Sequence, residues 1–161
     1  MHTITNGEST WHFFSTNSKS SLLNPLTYVR FFTYVIGHGN WDHFIHNFLY
    51  ILLIGPMVEE KYGSENLLVM FLITAAVGGI CNKLFKENTL SYGASGIVFM
   101  LIVLSSFVNL EAGKIPLTLV LIILFYIIQE VFAGITKKDN VSHSGHLLGG
   151  ACGLIFGFYF M

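Results

Sequence analysis

Charge is what this chain has least of: only 11% of its 161 residues are Asp, Glu, Lys or Arg, against about a quarter in an average soluble domain. Eight basic and nine acidic residues leave a formal net charge of −1. Nucleic acid as a partner needs a basic face to meet its phosphates, so that class is excluded. Cysteine is almost as scarce. Cys81 and Cys152 each sit inside an apolar run, where a free thiol behaves as a small hydrophobe, and no disulfide framework is expected. Met1 to Ser21 lacks a basic start followed by an apolar core, so it does not read as a secretory signal. No repeat period and no low-complexity tract interrupts the chain.

What is abundant is apolar surface: 53% of residues are hydrophobic and the mean hydropathy is +0.64. A membrane-spanning helix needs roughly 20 predominantly apolar residues. Five stretches qualify as candidates: His43 to Met57, Asn66 to Asn82, Tyr92 to Leu110, Ile115 to Gln129 and Val141 to Met161. Short connectors between them predict one compact all-α helix bundle, a multi-pass integral membrane protein whose immediate surroundings are the lipid bilayer. Residues 1–24 form a polar lead, of which Met1 to Ser21 reads as flexible or surface-lying. From Pro25 to Gly37 aromatic residues mix with Arg30, the composition of an element at the headgroup level or of a short helix packed on the bundle with Arg30 reaching water.

Three polar clusters stand out against this background, because a polar side chain within a bilayer costs free energy unless it is paired or lines a wet cavity. The first is Gly93-Ala94-Ser95-Gly96, where a loop meets the apolar run that follows. A helix starting there leaves free N–H groups able to face a developing oxyanion, although the same glycines also suit plain helix packing. The second is His38-Gly39-Asn40-Trp41-Asp42-His43-Phe44-Ile45-His46-Asn47. A helix beginning near Asp42 would put His43 and Asn47 one turn apart on a shared face, both with side-chain N–H donors, and His46 on or beside that face. The third is Ser142-His143-Ser144-Gly145-His146, where either histidine qualifies as a general base for a serine. Glycines at 145, 149, 153 and 157 recur every fourth residue along the same run, on one helical face. Small residues so spaced let two membrane helices approach closely. Together the clusters supply the nucleophile, base and oxyanion donors that acyl transfer requires.

In these motifs the chain resembles the rhomboid intramembrane serine proteases. The family's histidine, four residues, histidine, three residues and asparagine fall on His38, His43 and Asn47, and its Gly-x-Ser-Gly on Gly93 to Gly96. Its histidine followed at three and seven residues by glycines falls on His146, Gly149 and Gly153, which selects His146 over His143. Arg30 before the first histidine, and Glu59-Glu60-Lys61-Tyr62-Gly63-Ser64, are also similar to the family pattern. The resemblance covers about Pro25 to Met161, taken as a rhomboid-like transmembrane domain of residues 25–161. It implies a Ser95–His146 dyad with no acidic third member. It also implies an oxyanion site from His43, Asn47 and the Ser95 N–H beside Gly93, with His38 as a supporting neighbour. Gly96, Gly145, Gly149, Gly153 and Gly157 pack helices. Substrates would be transmembrane segments of other proteins, with no metal or organic cofactor.

Two departures accompany the resemblance. The family core has six spanning helices and only five are found, the first apparently missing, so a weakly active or inactive rhomboid-like protein that binds membrane helices is the alternative. The family's orientation would also put five basic residues outside (Arg30, Lys83, Lys86, Lys137, Lys138) and two inside (Lys61, Lys114), against the positive-inside tendency. A metal site at His43-x-x-His46 and His143-x-x-His146 is disfavoured, since neither pair has a carboxylate or cysteine companion. Gln129 and Glu130 are given no catalytic role.

Overall fold

A computed structural model describes residues 12–85, 90–108 and 143–160, and between them positions 117, 120, 121 and 124, which are helical. The expected span at Ile115 to Gln129, Gln129 and Glu130 themselves, and the connectors 86–89, 109–116 and 131–142 otherwise lie outside the described residues. The fold is an all-α bundle. Its described helices are α1 (Pro25–Thr33), α2 (Trp41–Tyr62), α3 (Ser64–Phe85), α4 (Ser95–Ser105) and α5 (His143–Tyr159), with a 3-10 turn at Tyr34–Ile36. Two two-residue strands, β1 (Thr16–Asn17) and β2 (Leu90–Ser91), pair antiparallel.

The helix starts follow from local chemistry. The side chain of Asn24 accepts from the Leu26 N–H and Pro25 takes the first turn of α1, where its missing N–H costs nothing. At α2 the cap is Asn40, whose side chain accepts from the His43 N–H at 2.7 Å. The helix therefore begins at Trp41, one residue earlier than expected, and Asp42 sits in its first turn, where a negative charge favours the helix dipole. Gly63, at φ 83°, ends α2, and α3 starts on the next residue.

Of the described helices, Ser64–Phe85 is the one both long and apolar enough to cross a bilayer. The 22-residue α2 equals it in length, but its first turns carry Asp42, His43, His46 and Asn47. With 11 residues α4 is much shorter than the run that contains it, giving way to turns at 106–108. It is also the most enclosed element: Met100, Leu101 and Leu104 have no exposed surface. They join Val58, Met70, Cys152 and Phe156 in one core cluster.

Within the polar lead, residues 12–21 lie largely at the surface but are anchored to the body at two buried positions. Ser15 and Thr16 are 1% and 2% exposed, and the strand pair ties the segment to β2. Arg30 does not simply reach water; its guanidinium donates to the His12 carbonyl, through Nε at 2.8 Å and through a second nitrogen. The reason is the partners: Thr16 of the lead meets the polar side chain of Asn82 on the body at 2.6 Å, so its burial leaves it paired.

Among the described residues, the most extensive helix contact is that of α4 with α5, and glycine makes it possible. A Cβ on Gly149 would lie 2.0 Å from the Gly96 carbonyl oxygen, one on Gly153 would lie 2.5 Å from that of Met100, and one on Gly157 would meet the Phe107 ring at 2.5 Å. On the facing helix a Cβ at Gly96 would stand 3.4 Å from the Gly145 carbonyl oxygen. Gly149→Ala is therefore expected to destabilise the protein by about 1–3 kcal/mol through overpacking. Gly55→Ala, whose new Cβ would meet nothing within 4 Å, should leave stability unchanged or slightly raised. Thermal unfolding of both variants in detergent micelles checks the contrast.

Candidate active site

Ser95 is the first residue of α4 and His146 lies in the first turn of α5. The close α4–α5 approach brings His146 Nε2 to 3.0 Å from Ser95 Oγ, within reach for proton transfer. His143 opens α5, and its side chain is outside what the structure describes. The start of α4 has no side-chain cap on Ala94, and the first intrahelical bond is donated by Val98 to the Ala94 carbonyl. The N–H groups of Ser95, Gly96 and Ile97 thus have no intrahelical acceptor.

Phe99 completes this corner. One turn after Ser95 on α4, its ring lies 4.4 Å from the His146 imidazole between centroids, tilted by 36°. Sequence reasoning passed over it, although its spacing of four from Ser95 places it on the serine's face. Such a ring limits how the imidazole can turn away from the hydroxyl.

The second helix contributes from the side. Gly93 has φ 116°, a conformation that L side chains rarely adopt, and a Cβ there would lie 2.7 Å from His43 Cε1. The glycine lets the His43 imidazole rest directly on the loop that leads to Ser95. The His38 and His43 rings meet edge to face at 5.1 Å. Asn47, buried, places its amide nitrogen 3.1 Å from His38 Nε2, and His38 Nδ1 lies 3.0 Å from the Ile36 carbonyl oxygen. A carbonyl only accepts, so Nδ1 carries the proton and Nε2 accepts from Asn47. That leaves the second Asn47 N–H for another acceptor. His46 does not join the group; it is exposed, and its Nδ1 turns to the Asp42 carbonyl oxygen at 2.6 Å.

A cavity of about 420 Å³ adjoins the first turn of α5, bordered by Ser144 and Gly145 on one side and by Tyr34, Asn82 and Ser91 on the other. Among the described residues no group of three metal-ligating side chains comes together.

Comparison with known proteins decides the family. The rhomboid domain model matches residues 25–161. The chain belongs to the rhomboid family. It is 29% identical to Rhomboid-like protein 11, chloroplastic, of Arabidopsis thaliana, over 89% of this chain and 58% of that protein. It is 34% identical to RHOMBOID-like protein 4 of the same plant over 75% of this chain and 31% of the relative. Rhomboid protease GluP of Bacillus subtilis (strain 168) is 29% identical, over 82% of this chain and 26% of its own length. The chain thus spans little more than half of the first of these relatives and about a third or less of the other two. Membership of the rhomboid family makes it a membrane protein, as its composition indicated.

His38 generates a pH dependence. Burial pushes its pKa below the ordinary value of 6.5, with the hydrogen bond to the Ile36 carbonyl opposing. A lowered pKa in the folded state means that the unfolded chain takes up the proton first, so the stabilisation is complete above pH 6.5 and is lost as pH falls. Protonation at Nε2 would also set N–H against N–H at Asn47. The thermal midpoint of the wild type should fall more steeply between about pH 7.5 and 5 than that of His38→Gln, since the imidazole is the group that titrates in this range.

Proposed function

We propose that this chain is an intramembrane serine endopeptidase that hydrolyses peptide bonds in or near transmembrane segments of other membrane proteins. The observation that carries this reading is the 3.0 Å approach of His146 Nε2 to Ser95 Oγ. Ser95 Oγ attacks the scissile carbonyl carbon while Nε2 takes its proton. The carbonyl oxygen becomes an oxyanion facing the Ser95 N–H, the His43 imidazole and the free N–H of Asn47. Collapse breaks the C–N bond, and His146 returns the proton to the leaving amine. Water then attacks the acyl–serine ester with His146 again as base, releasing the carboxyl product and restoring Ser95.

Several features support a bilayer setting. The chain is a multi-pass protein in this reading, with α2, α4, α5 and the helical positions 117, 120, 121 and 124 joining α3 within the membrane. A helix of 11 residues rises roughly 16 Å, about half of the ~30 Å hydrocarbon thickness. That length suits a nucleophile set below the membrane surface. Hydrolysis there needs water, and the cavity beside Ser144 and Gly145 has room for it. A substrate helix must unwind before its carbonyl can reach Ser95, because its peptide groups are otherwise bonded within the helix.

Reconstitution with a model transmembrane substrate tests the assignment. The wild type should cleave it and react with a fluorophosphonate probe, and Ser95→Ala should do neither while remaining folded. Asn47→Ala should lower kcat by about 10²–10³, the cost of one oxyanion donor. Cleavage by Ser95→Ala at the wild-type rate would exclude Ser95 as the nucleophile. A folded wild type that binds membrane helices but neither cleaves nor labels would instead be the inactive family member.

A further inference from the structure

The loop that delivers Ser95 is held by a largely buried ring of hydrogen bonds that ends four residues before the serine. Asn82, in the last turn of α3, donates from Nδ2 to Thr16 Oγ1 at 2.6 Å and accepts at Oδ1 from Ser91 Oγ at 2.8 Å. Thr16 Oγ1 closes the ring by donating to the Ser91 carbonyl at 3.4 Å. Thr16 stands opposite Ser91 in the β1–β2 pair. Asn82 and Thr16 are 4% and 2% exposed, so a bond lost here leaves a largely desolvated polar group short of a partner, which is costly.

The N-terminal segment 12–21 is fastened on both sides of this ring. The Lys83 ammonium donates to the carbonyls of Ser18 and Ser20, and the Thr33 hydroxyl donates to the Phe13 carbonyl at 2.6 Å. Beyond Ser91 only Tyr92, Gly93 and Ala94 precede the nucleophile. Gly93 adds one further tether, its N–H donating to the Tyr34 carbonyl at 2.9 Å. The ring therefore sets the lateral position at which the chain enters α4, where shifts of about half an ångström matter for a reactive geometry.

We propose that Thr16 and Asn82 are positioning residues for Ser95: segment 12–21 is a strap that fixes the nucleophile loop through the Thr16–Asn82–Ser91 ring. This rests on the peptidase reading. Neither residue bonds to Ser95 or His146 in the ring, and both act through Ser91.

The test uses the near-isosteric, hydroxyl-free Thr16→Val and amide-free Asn82→Leu in the full chain, reconstituted with the model substrate. Each should lower kcat about tenfold while KM stays within about twofold of the wild type. The double variant should lose little more than the worse single one, because both break the same ring. Hydrogen exchange over residues 90–96 should quicken in all three. Thr74→Val, a buried hydroxyl loss on α3 outside the ring, serves as the stability control and should keep kcat. Wild-type kcat and exchange in both single variants would overturn the positioning role and leave the peptidase reading intact. A wild type that neither cleaves nor labels would overturn both. Thr16→Val removes one hydroxyl only, so it decides the matter even should Asn82→Leu fail to fold.

Discussion

The backbone of α5 lies against the backbone of α4, and the candidate site depends on that contact. In lipid there is no hydrophobic drive between helices, so association rests on close packing. The gap left by Gly149 is filled by the Gly96 carbonyl. Ser95 precedes Gly96 and His146 follows Gly145, so the residues that let the helices touch also set where hydroxyl and imidazole meet. Further along, Gly153 against Met100 and Gly157 against Phe107 keep the same register for two more turns. Separation of the helices by the width of one methyl group would disturb the packing and the dyad together.

Around this contact the site is assembled by small-residue and hydrogen-bond devices rather than by charge. Gly93 admits the His43 ring, Asn40 caps the helix that carries it, and the Ile36 carbonyl selects the tautomer of His38. That tautomer holds one N–H of Asn47 and leaves the other free. The hydrogen bonds that position the site are between neutral groups, which suits a low-dielectric setting, where an isolated ion is costly. Among the described residues, the charged groups of Lys83 and Arg30 bind carbonyls of the N-terminal strap.

Particular residues show how much was legible beforehand. The glycine spacing from 145 to 157, the serine opening an apolar run and the histidine–asparagine spacing of four are local patterns, and helix geometry alone translates them into faces. The anchoring of residues 12–21 was not legible, for an equally physical reason. A polar stretch reads as solvated when its partners are unknown, and the partner of Thr16 lies 66 residues away at Asn82. Phe99 escaped notice because an aromatic residue in an apolar run looks like ordinary core until the imidazole is seen on its face. The true length of α4 was hidden too, since an apolar run says nothing of where turns interrupt it.

By itself the amino-acid sequence determined the class of molecule, an apolar and nearly uncharged helical chain. It also determined the family pattern and the residue types gathered near each helix start, because these depend on composition and on spacings within one turn. Tertiary structure alone decided that His146 Nε2 faces Ser95 Oγ, that His46 turns away, and that Thr16 of the N-terminal segment is paired with Ser91 of the nucleophile loop. Those outcomes depend on which helices touch and at what register, and close packing between segments distant in the chain sets both.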